Sequence, residues 1–433
     1  MSHSRIIINT VSQAAGRILV VLTSLLLTAI LTRSFGASGY GNYVFLSSVV
    51  LVFVGLSDLG TTTIGVKTSI QDKERAKTVF NNVLGLRLIL SIILFLIFNL
   101  LVFVLPQFEG IRQPAFIASL VVPFLILKTT SQAVLQTSLR LDLSSLSEVF
   151  SSLLLLIPVV LFFLLKKAFP LSSLMLFWVI SSFFSGVIAF FLSKRYLKLK
   201  IALHKTEIKK ILMESLPLGA YFLIYAAYDR GIDSFVLKTF RPSNEVGYYG
   251  LAYKVHGNLV LGAAFLMNSL FPVIASLKKD SPALKQIYEK IITFLLICGF
   301  FILITGLFLS PFIINVLAGQ TFNASITILR VLLVATLISY LNHLTGYLMV
   351  CLSEQKKLLA FSVVVFFVNL ILNLLFIPRF SFMAAAWVTV LSELIIFILT
   401  SIHLSRKYLL SYSLSAFVRN FKILLREKEK FFD

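Results

Sequence analysis

Long apolar runs follow one another along the chain, separated by short stretches that hold the charged residues. The runs 88–105, 153–165, 291–309 and 363–377 are nearly free of charge. A helix of about 17–25 apolar residues crosses a bilayer, and the runs reach that length once flanking Ser, Thr and Tyr are included. The apolar residues are continuous and do not alternate with polar ones, so the pattern predicts membrane helices and not a β-barrel.

Division of the chain at its charge-rich breaks predicts an all-α integral membrane protein of about twelve transmembrane helices. The first run continues without a clear cleavage site, so we expect an uncleaved first span. The predicted spans are 10–31, 43–66, 83–105, 115–137, 149–165, 173–193, 216–238, 250–276, 291–314, 325–350, 358–377 and 382–404.

Lysine and arginine are distributed unevenly between the two sets of predicted loops. With the amino terminus placed in the cytoplasm, 26 of the 39 basic residues fall in cytoplasmic segments and 6 in the opposite loops. Basic residues are enriched on the cytoplasmic side of membranes. Both termini and the basic stretch 194–215 are therefore predicted to be cytoplasmic.

Parts of the sequence repeat at offsets of 205–209 residues, which predicts two parallel six-helix halves. We expect an amino-terminal lobe (1–193), a cytoplasmic basic linker (194–215), a carboxy-terminal lobe (216–404) and a cytoplasmic amphipathic tail (405–433). The matching pieces are 32–35 with 237–240, 41–43 with 247–249, and Trp178 with Trp387.

Several short motifs, in order along nearly the whole chain, resemble those of the Wzx-type polysaccharide repeat-unit flippases. This family is a branch of the multidrug/oligosaccharidyl-lipid/polysaccharide exporter superfamily. The segment 379–382 departs from the family pattern, which tends to have a glycine-containing turn there. The motifs are 31–36 (LTRSFG), 39–43 (GYGNY), 56–60 (LSDLG), 232–233 (ID), 245–254 (EVGYYGLAYK), 369–373 (NLILN), 377–378 (IP) and 384–386 (AAA).

The resemblance implies a MATE-like fold and a role in the bacterial cytoplasmic (inner) membrane. Members of the family move an undecaprenyl-diphosphate-linked oligosaccharide to the outer leaflet, where it is built into O-antigen, capsule or another surface glycan. The implied partners are that lipid-linked oligosaccharide, membrane lipids and other polysaccharide assembly proteins.

Several charged residues fall inside predicted spans, where a charge costs roughly 2.5–3.5 kcal/mol on insertion scales. Basic side chains in a lumen could bind a diphosphate, and the acidic ones could serve coupling or gating. Snorkelling at span ends and structural ion pairs, such as Arg230 with Asp233, are the alternatives. The basic candidates for the diphosphate are Arg17, Arg87, Lys128, Arg230, Lys254 and Arg330. The acidic candidates are Asp58, Asp229, Asp233 and Glu393.

The remaining sequence argues against several other classes of function. The formal charge of +21 is not gathered on a soluble module, so we expect no nucleic-acid partner. Neither a catalytic triad, a Walker motif nor metal-ligand spacing is present, which predicts a non-enzyme without metal or cofactor. Two alternatives stay open, a small-molecule antiporter of the same superfamily and a membrane enzyme of glycan assembly.

The topology can be tested with reporter fusions. Reporters after Ser2, within 194–215 and after Asp433 should all report the cytoplasm, because of the bias in basic residues. An external signal from 194–215 would contradict the division into two six-helix lobes.

Overall fold

The computed structural model describes residues 3–138, 140–197, 199–226, 231–277 and 281–426, and all regular structure within them is helical. The chain forms two compact units, Met1–Gly247 and Tyr248–Asp433. The helices up to the end of the first unit are α1 (His3–Asp58), α2 (Thr61–Gln71), α3 (Lys73–Val104), α4 (Arg112–Ser119), α5 (Val121–Thr137), α6 (Leu141–Leu164), α7 (Leu171–Lys194), α8 (Lys205–Ala226) and α9 (Ile232–Phe240). They are followed by α10 (Ser243–Ser276), α11 (Pro282–Ala318), α12 (Ala324–Cys351), α13 (Gln355–Tyr408) and α14 (Leu414–Arg426).

Within the described residues, nine helices are long and apolar enough to cross a membrane. Two of them are interrupted, α1 at Gly36 and α13 at Ser381, which gives eleven apolar helical segments. The remaining predicted span, 216–238, falls on the end of α8 and on α9, and 227–230 between them lies outside the described residues. The all-α membrane fold is thereby confirmed.

The long helix α13 folds back on itself at Ser381, which has a φ of 55°. Across the bend, Asn369 Nδ2 donates to Ser392 Oγ at 3.1 Å. A positive φ favours glycine, and in this chain a serine adopts it where the family that the motifs resemble tends to have a glycine-containing turn. Two spans are therefore joined without a separate loop.

The outer faces of the long helices are apolar. Leu100, Phe308 and Leu375 are 62%, 78% and 60% exposed. Apolar surface on this scale is unusual for a protein in water and is what the hydrocarbon core of a bilayer requires. The chain is a multi-pass membrane protein.

The predicted linker 194–215 is partly helical. Its second half forms the start of α8, where Ile211 is buried with Val79 and Val83 of α3. Helices α8 and α9 belong to the first compact unit. This unit therefore ends at Gly247, whereas the predicted amino-terminal lobe ends at residue 193, before the seventh span. The division into six-helix lobes stays a prediction.

The tail helix α14 packs against α11. Its Arg419 forms an ion pair with Glu289, while Leu414 and Val418 of the same helix are exposed. A helix held along one face with apolar side chains left outside is suited to the membrane interface. The cytoplasmic amphipathic tail stays a prediction, and we expect α14 to lie at the membrane surface.

The two copies of the repeated motif lie against each other in the first unit. A Cβ atom built on Gly41 would lie 1.7 Å from the carbonyl oxygen of Ser243, and one built on Gly247 would lie 2.2 Å from the carbonyl oxygen of Ala37. Gly41 and Gly247 are equivalent positions of the repeat, as are Ala37 and Ser243, so the contact is reciprocal. Only glycine leaves room for this approach of two backbones.

Alanine substitutions test this contact. Gly41→Ala and Gly247→Ala should each lower the melting temperature of the purified protein in detergent, because the new methyl group meets backbone atoms that cannot rotate away. The overpacking should cost about 1–3 kcal/mol. Gly257→Ala is the matched control, since nothing lies within 4 Å of its Cβ position and alanine is the better helix former. Equal melting temperatures for all three variants would contradict the close approach.

Candidate functional site

A buried network surrounds Arg87 in α3, whose side chain is 1% exposed. Its Nε donates to Thr61 Oγ1 and its Nη1 to Thr130 Oγ1, each at 2.9 Å. Its Nη2 forms an ion pair with the Asp58 carboxylate and donates to Thr62 Oγ1. The network joins the end of α1 to α2, α3 and α5.

Asp58 belongs to this network because of the turn in which it lies. Residues Leu59 and Gly60 both adopt positive φ and carry the chain from α1 into α2. The Asp58 carboxylate then accepts from the Thr62 backbone N–H at 3.0 Å, a free donor in the first turn of α2. One carboxylate thus satisfies a helix donor and neutralises Arg87.

Two residues predicted for different roles, Arg87 for the diphosphate and Asp58 for gating, are therefore paired. In this conformation the guanidinium makes four hydrogen bonds, all within the protein. A buried cation without such partners would be strongly destabilising. The Asp58 side chain is 33% exposed and is the part of the pair that can be reached from outside.

A second group of charges joins α1, α5 and α6. Arg17 Nη1 lies 3.9 Å from Glu148 Oε2, and both side chains are partly exposed. Lys128 of α5 interacts electrostatically with the same Glu148. Two of the predicted cations therefore lie near one carboxylate, and the group has one positive charge in excess.

Glu148 is missing from the predicted site residues. The predicted fifth span begins at residue 149, whereas α6 begins at Leu141 and includes Glu148 within the membrane helix. Next to it, Gln132 Nε2 donates to Ser147 Oγ at 3.0 Å and links α5 to α6. The weakly polar stretch 141–148, which precedes the apolar run and has no helix breaker, was the signal that the helix begins earlier.

The other described cations of the predicted set lie in the second unit. Lys254 is partly buried in α10. Arg330 is exposed on α12, and its Nε donates to Ser310 Oγ of α11 at 3.1 Å. Of the six predicted cations, Arg230 lies outside the described residues.

The remaining acidic candidates are also held in place. Asp233 is buried in the first turn of α9. Glu393 Oε2 accepts from Asn342 Nδ2 at 2.7 Å, which ties α13 to α12. Asp229 lies outside the described residues, as does Arg230, so the predicted pair of Arg230 with Asp233 is not described.

Lys238 is a further polar residue that sequence analysis did not select. Its Nζ donates to Asn42 Oδ1 at 2.9 Å and also to Ser243 Oγ. Both acceptors stand in or beside the repeated motif, next to the contact of Gly41 with Gly247. The lysine therefore links the two copies of the motif.

The fold is that of MATE-like membrane transporters. The lipid II flippase MurJ in its inward closed conformation has a TM-score of 0.77 at 14% identity, with 98% of this chain and 95% of that chain covered. An inward-facing multidrug resistance MATE family transporter of the MOP superfamily has a TM-score of 0.73 at 14% identity, with 92% and 98% covered. At this level of identity the likeness shows the fold alone.

The chain belongs to the polysaccharide biosynthesis protein family, which matches residues 5–278. The capsular polysaccharide biosynthesis protein CapF of Staphylococcus aureus is 26% identical over 318 residues, which are 71% of this chain and 78% of CapF. These findings confirm the family resemblance drawn from the sequence motifs.

The Arg87 network predicts asymmetric effects of substitution. Arg87→Met should lower stability on the order of 3 kcal/mol, because a carboxylate in a mostly buried site loses its counter-charge. The pair Arg87→Met with Asp58→Leu should recover part of that loss. The measurement is the melting temperature of the purified variants in detergent.

The control for this prediction is Arg140→Met. Arg140 pairs with Asp142 at a site where its side chain is 41% exposed, so its loss should have little effect. A loss for Arg87→Met no larger than that for Arg140→Met would mean that the buried pair does not stabilise the fold.

Proposed function

We propose that this protein is a flippase for an undecaprenyl-diphosphate-linked oligosaccharide repeat unit. It carries the unit from the cytoplasmic to the outer leaflet of a bacterial cytoplasmic membrane by alternating access. The unit then enters a surface polysaccharide such as O-antigen, capsule or exopolysaccharide. In this proposal both termini are cytoplasmic, and other polysaccharide assembly proteins receive the product.

The family and the fold support the proposal from two directions. The chain belongs to a family of polysaccharide biosynthesis proteins, and CapF is a capsular member by name. The fold is shared with a protein that flips lipid II. A flippase of lipid-linked glycan would act in polysaccharide biosynthesis, as the family does, and would have the fold of the lipid II flippase.

The observation that carries the proposal is the ion pair of Arg17 with Glu148, with Lys128 near enough to interact electrostatically with the same carboxylate. A diphosphate that leaves water needs positive charge and hydrogen-bond donors, and arginine and lysine supply both. We propose that Glu148 holds the two cations while no substrate is bound and that the diphosphate takes its place. Arg87, Arg230, Lys254 and Arg330 stay candidates for later positions along the path, and Asp58, Asp229, Asp233 and Glu393 for coupling or gating.

A small-molecule antiporter is the second candidate function. The likeness to the MATE family transporter favours it. A carrier of organic cations would favour carboxylates without a cationic partner, whereas Asp58 and Glu148, in membrane helices of the first unit, each face a basic residue. Proteoliposomes distinguish the two functions, because only the flippase transfers a fluorescent lipid-diphosphate glycan and only the antiporter transfers ethidium.

Neutral substitutions at the cation pair test the proposal. Arg17→Gln and Lys128→Gln should each reduce glycan transfer in proteoliposomes about ten- to hundredfold, since a hydrogen bond to a charged group contributes about 1.5–3 kcal/mol. Arg17→Lys should be milder than Arg17→Gln, because it keeps the charge. The transfer rate is normalised to the amount of folded protein in the vesicles.

The matched control is Arg112→Gln, an exposed arginine outside the charge group, which should transfer glycan at the normal rate. The proposal fails if Arg17→Gln and Lys128→Gln both transfer glycan as fast as this control.

A further inference from the structure

The second unit has an open cavity that the proposed transport path does not use. It has a volume of about 460 Å³ and lies between the two arms of α13, near the turn from α12 into α13. One side is apolar and the other is basic. Its lining residues are Phe361, Leu399, Ile402, His403, Arg406 and Lys407.

The charges around the cavity are not balanced. Glu354 accepts hydrogen bonds from Lys407, Tyr408 and His403, and these hold the pKa of its carboxyl at about 2. The carboxylate is therefore ionised at neutral pH and faces Lys407. Arg406 is exposed and forms no ion pair within the part of the chain that the structure describes.

Further positive charge surrounds this rim. Lys356 and Lys357, in the first turn of α13, are exposed at the same end of the hairpin. The only acidic residue among these groups is Glu354, which is 11% exposed. An anion that reaches Arg406 meets an excess of cations.

The apolar wall of the cavity continues on to the outer surface of the helix. Ile402 is 45% exposed and so is Ile398, one turn earlier. The cavity stands at the end of a membrane hairpin, where a polar headgroup meets the hydrocarbon core. A ligand that fills both sides has an anionic head and an apolar body.

We propose that this cavity binds an anionic phospholipid of the surrounding bilayer, with Arg406 as the main ligand of the phosphate and the acyl chains along Phe361, Leu399 and Ile402. Basic pockets between membrane helices recognise anionic headgroups in this way. A guanidinium can donate two parallel hydrogen bonds to a phosphate. The site is independent of the proposed transport path and would hold the α13 hairpin at a fixed depth in the membrane.

Lipid titration of the purified full chain in detergent tests the proposal. Phosphatidylglycerol should raise the melting temperature and form adducts in native mass spectrometry, while phosphatidylcholine should do neither. Arg406→Gln should weaken the Kd for phosphatidylglycerol about tenfold, the loss expected for one charge-assisted contact. Arg379→Gln is the matched control, because it is an exposed arginine at the opposite end of the same hairpin and should bind like the wild type.

The substitution Glu354→Gln is a second test, in which the affinity for phosphatidylglycerol should rise. It removes the carboxylate that neutralises Lys407, so phosphatidylglycerol should bind more tightly even if the variant itself melts earlier. Equal affinity of wild type and Arg406→Gln for phosphatidylglycerol would overturn the proposal. Equal stabilisation by phosphatidylcholine would also overturn it, because that lipid carries no net negative charge. Equal stabilisation by inorganic phosphate would do the same, because phosphate has no acyl chains.

Discussion

Two backbones of the first unit approach each other at Gly41 and Gly247 so closely that neither position has room for a side chain. The two glycines occupy equivalent places in the internal repeat, and the flanking Ala37 and Ser243 are equivalent as well. Lys238 adds a hydrogen-bonded link between the same two segments. Alternating access requires a contact that closes one end of the transport path, and we expect this contact to serve in that way. The substrate site is proposed at Glu148, and the opening and closing of the path are expected to take place at this contact.

Charges inside the membrane helices are arranged in two different ways, and we expect the two groups to have different functions. Arg87 is fully hydrogen-bonded to Asp58 and three threonines, so it stabilises the junction of α1, α2, α3 and α5. Arg17 pairs with Glu148, Lys128 lies near the same carboxylate, and the side chains of Arg17 and Glu148 are partly exposed. The first arrangement has no donor directed outwards, whereas the second has charge available for an anion. We therefore expect the second to meet the substrate.

The apolar pattern was sufficient to predict the membrane helices, because continuous apolar runs of this length are typical of helices that cross a bilayer. It also placed breaks between spans one and two and between spans eleven and twelve. It could not show that a single residue makes each bend, Gly36 in the first and Ser381 in the second, because a serine seldom adopts a positive φ. The pairing of Asp58 with Arg87 depends on how α1 packs against α3, and the apolar pattern of the sequence gives no information about that packing. Glu148 was missed because the helix begins before the apolar run does.

The most direct test of the account joins the two copies of the repeated motif covalently. In a cysteine-free chain, Asn42→Cys and Ser243→Cys place two thiols where both native side chains accept from Lys238, within reach of a short, reducible cross-linker. The account predicts that cross-linking stops glycan transfer in proteoliposomes and that reduction restores it. As a control, Ser151→Cys with Ser181→Cys joins neighbouring helices of the predicted amino-terminal lobe, where the two hydroxyls are 3.0 Å apart, and should leave transfer unchanged. Undiminished transfer by the cross-linked Asn42→Cys, Ser243→Cys chain would contradict alternating access through this contact.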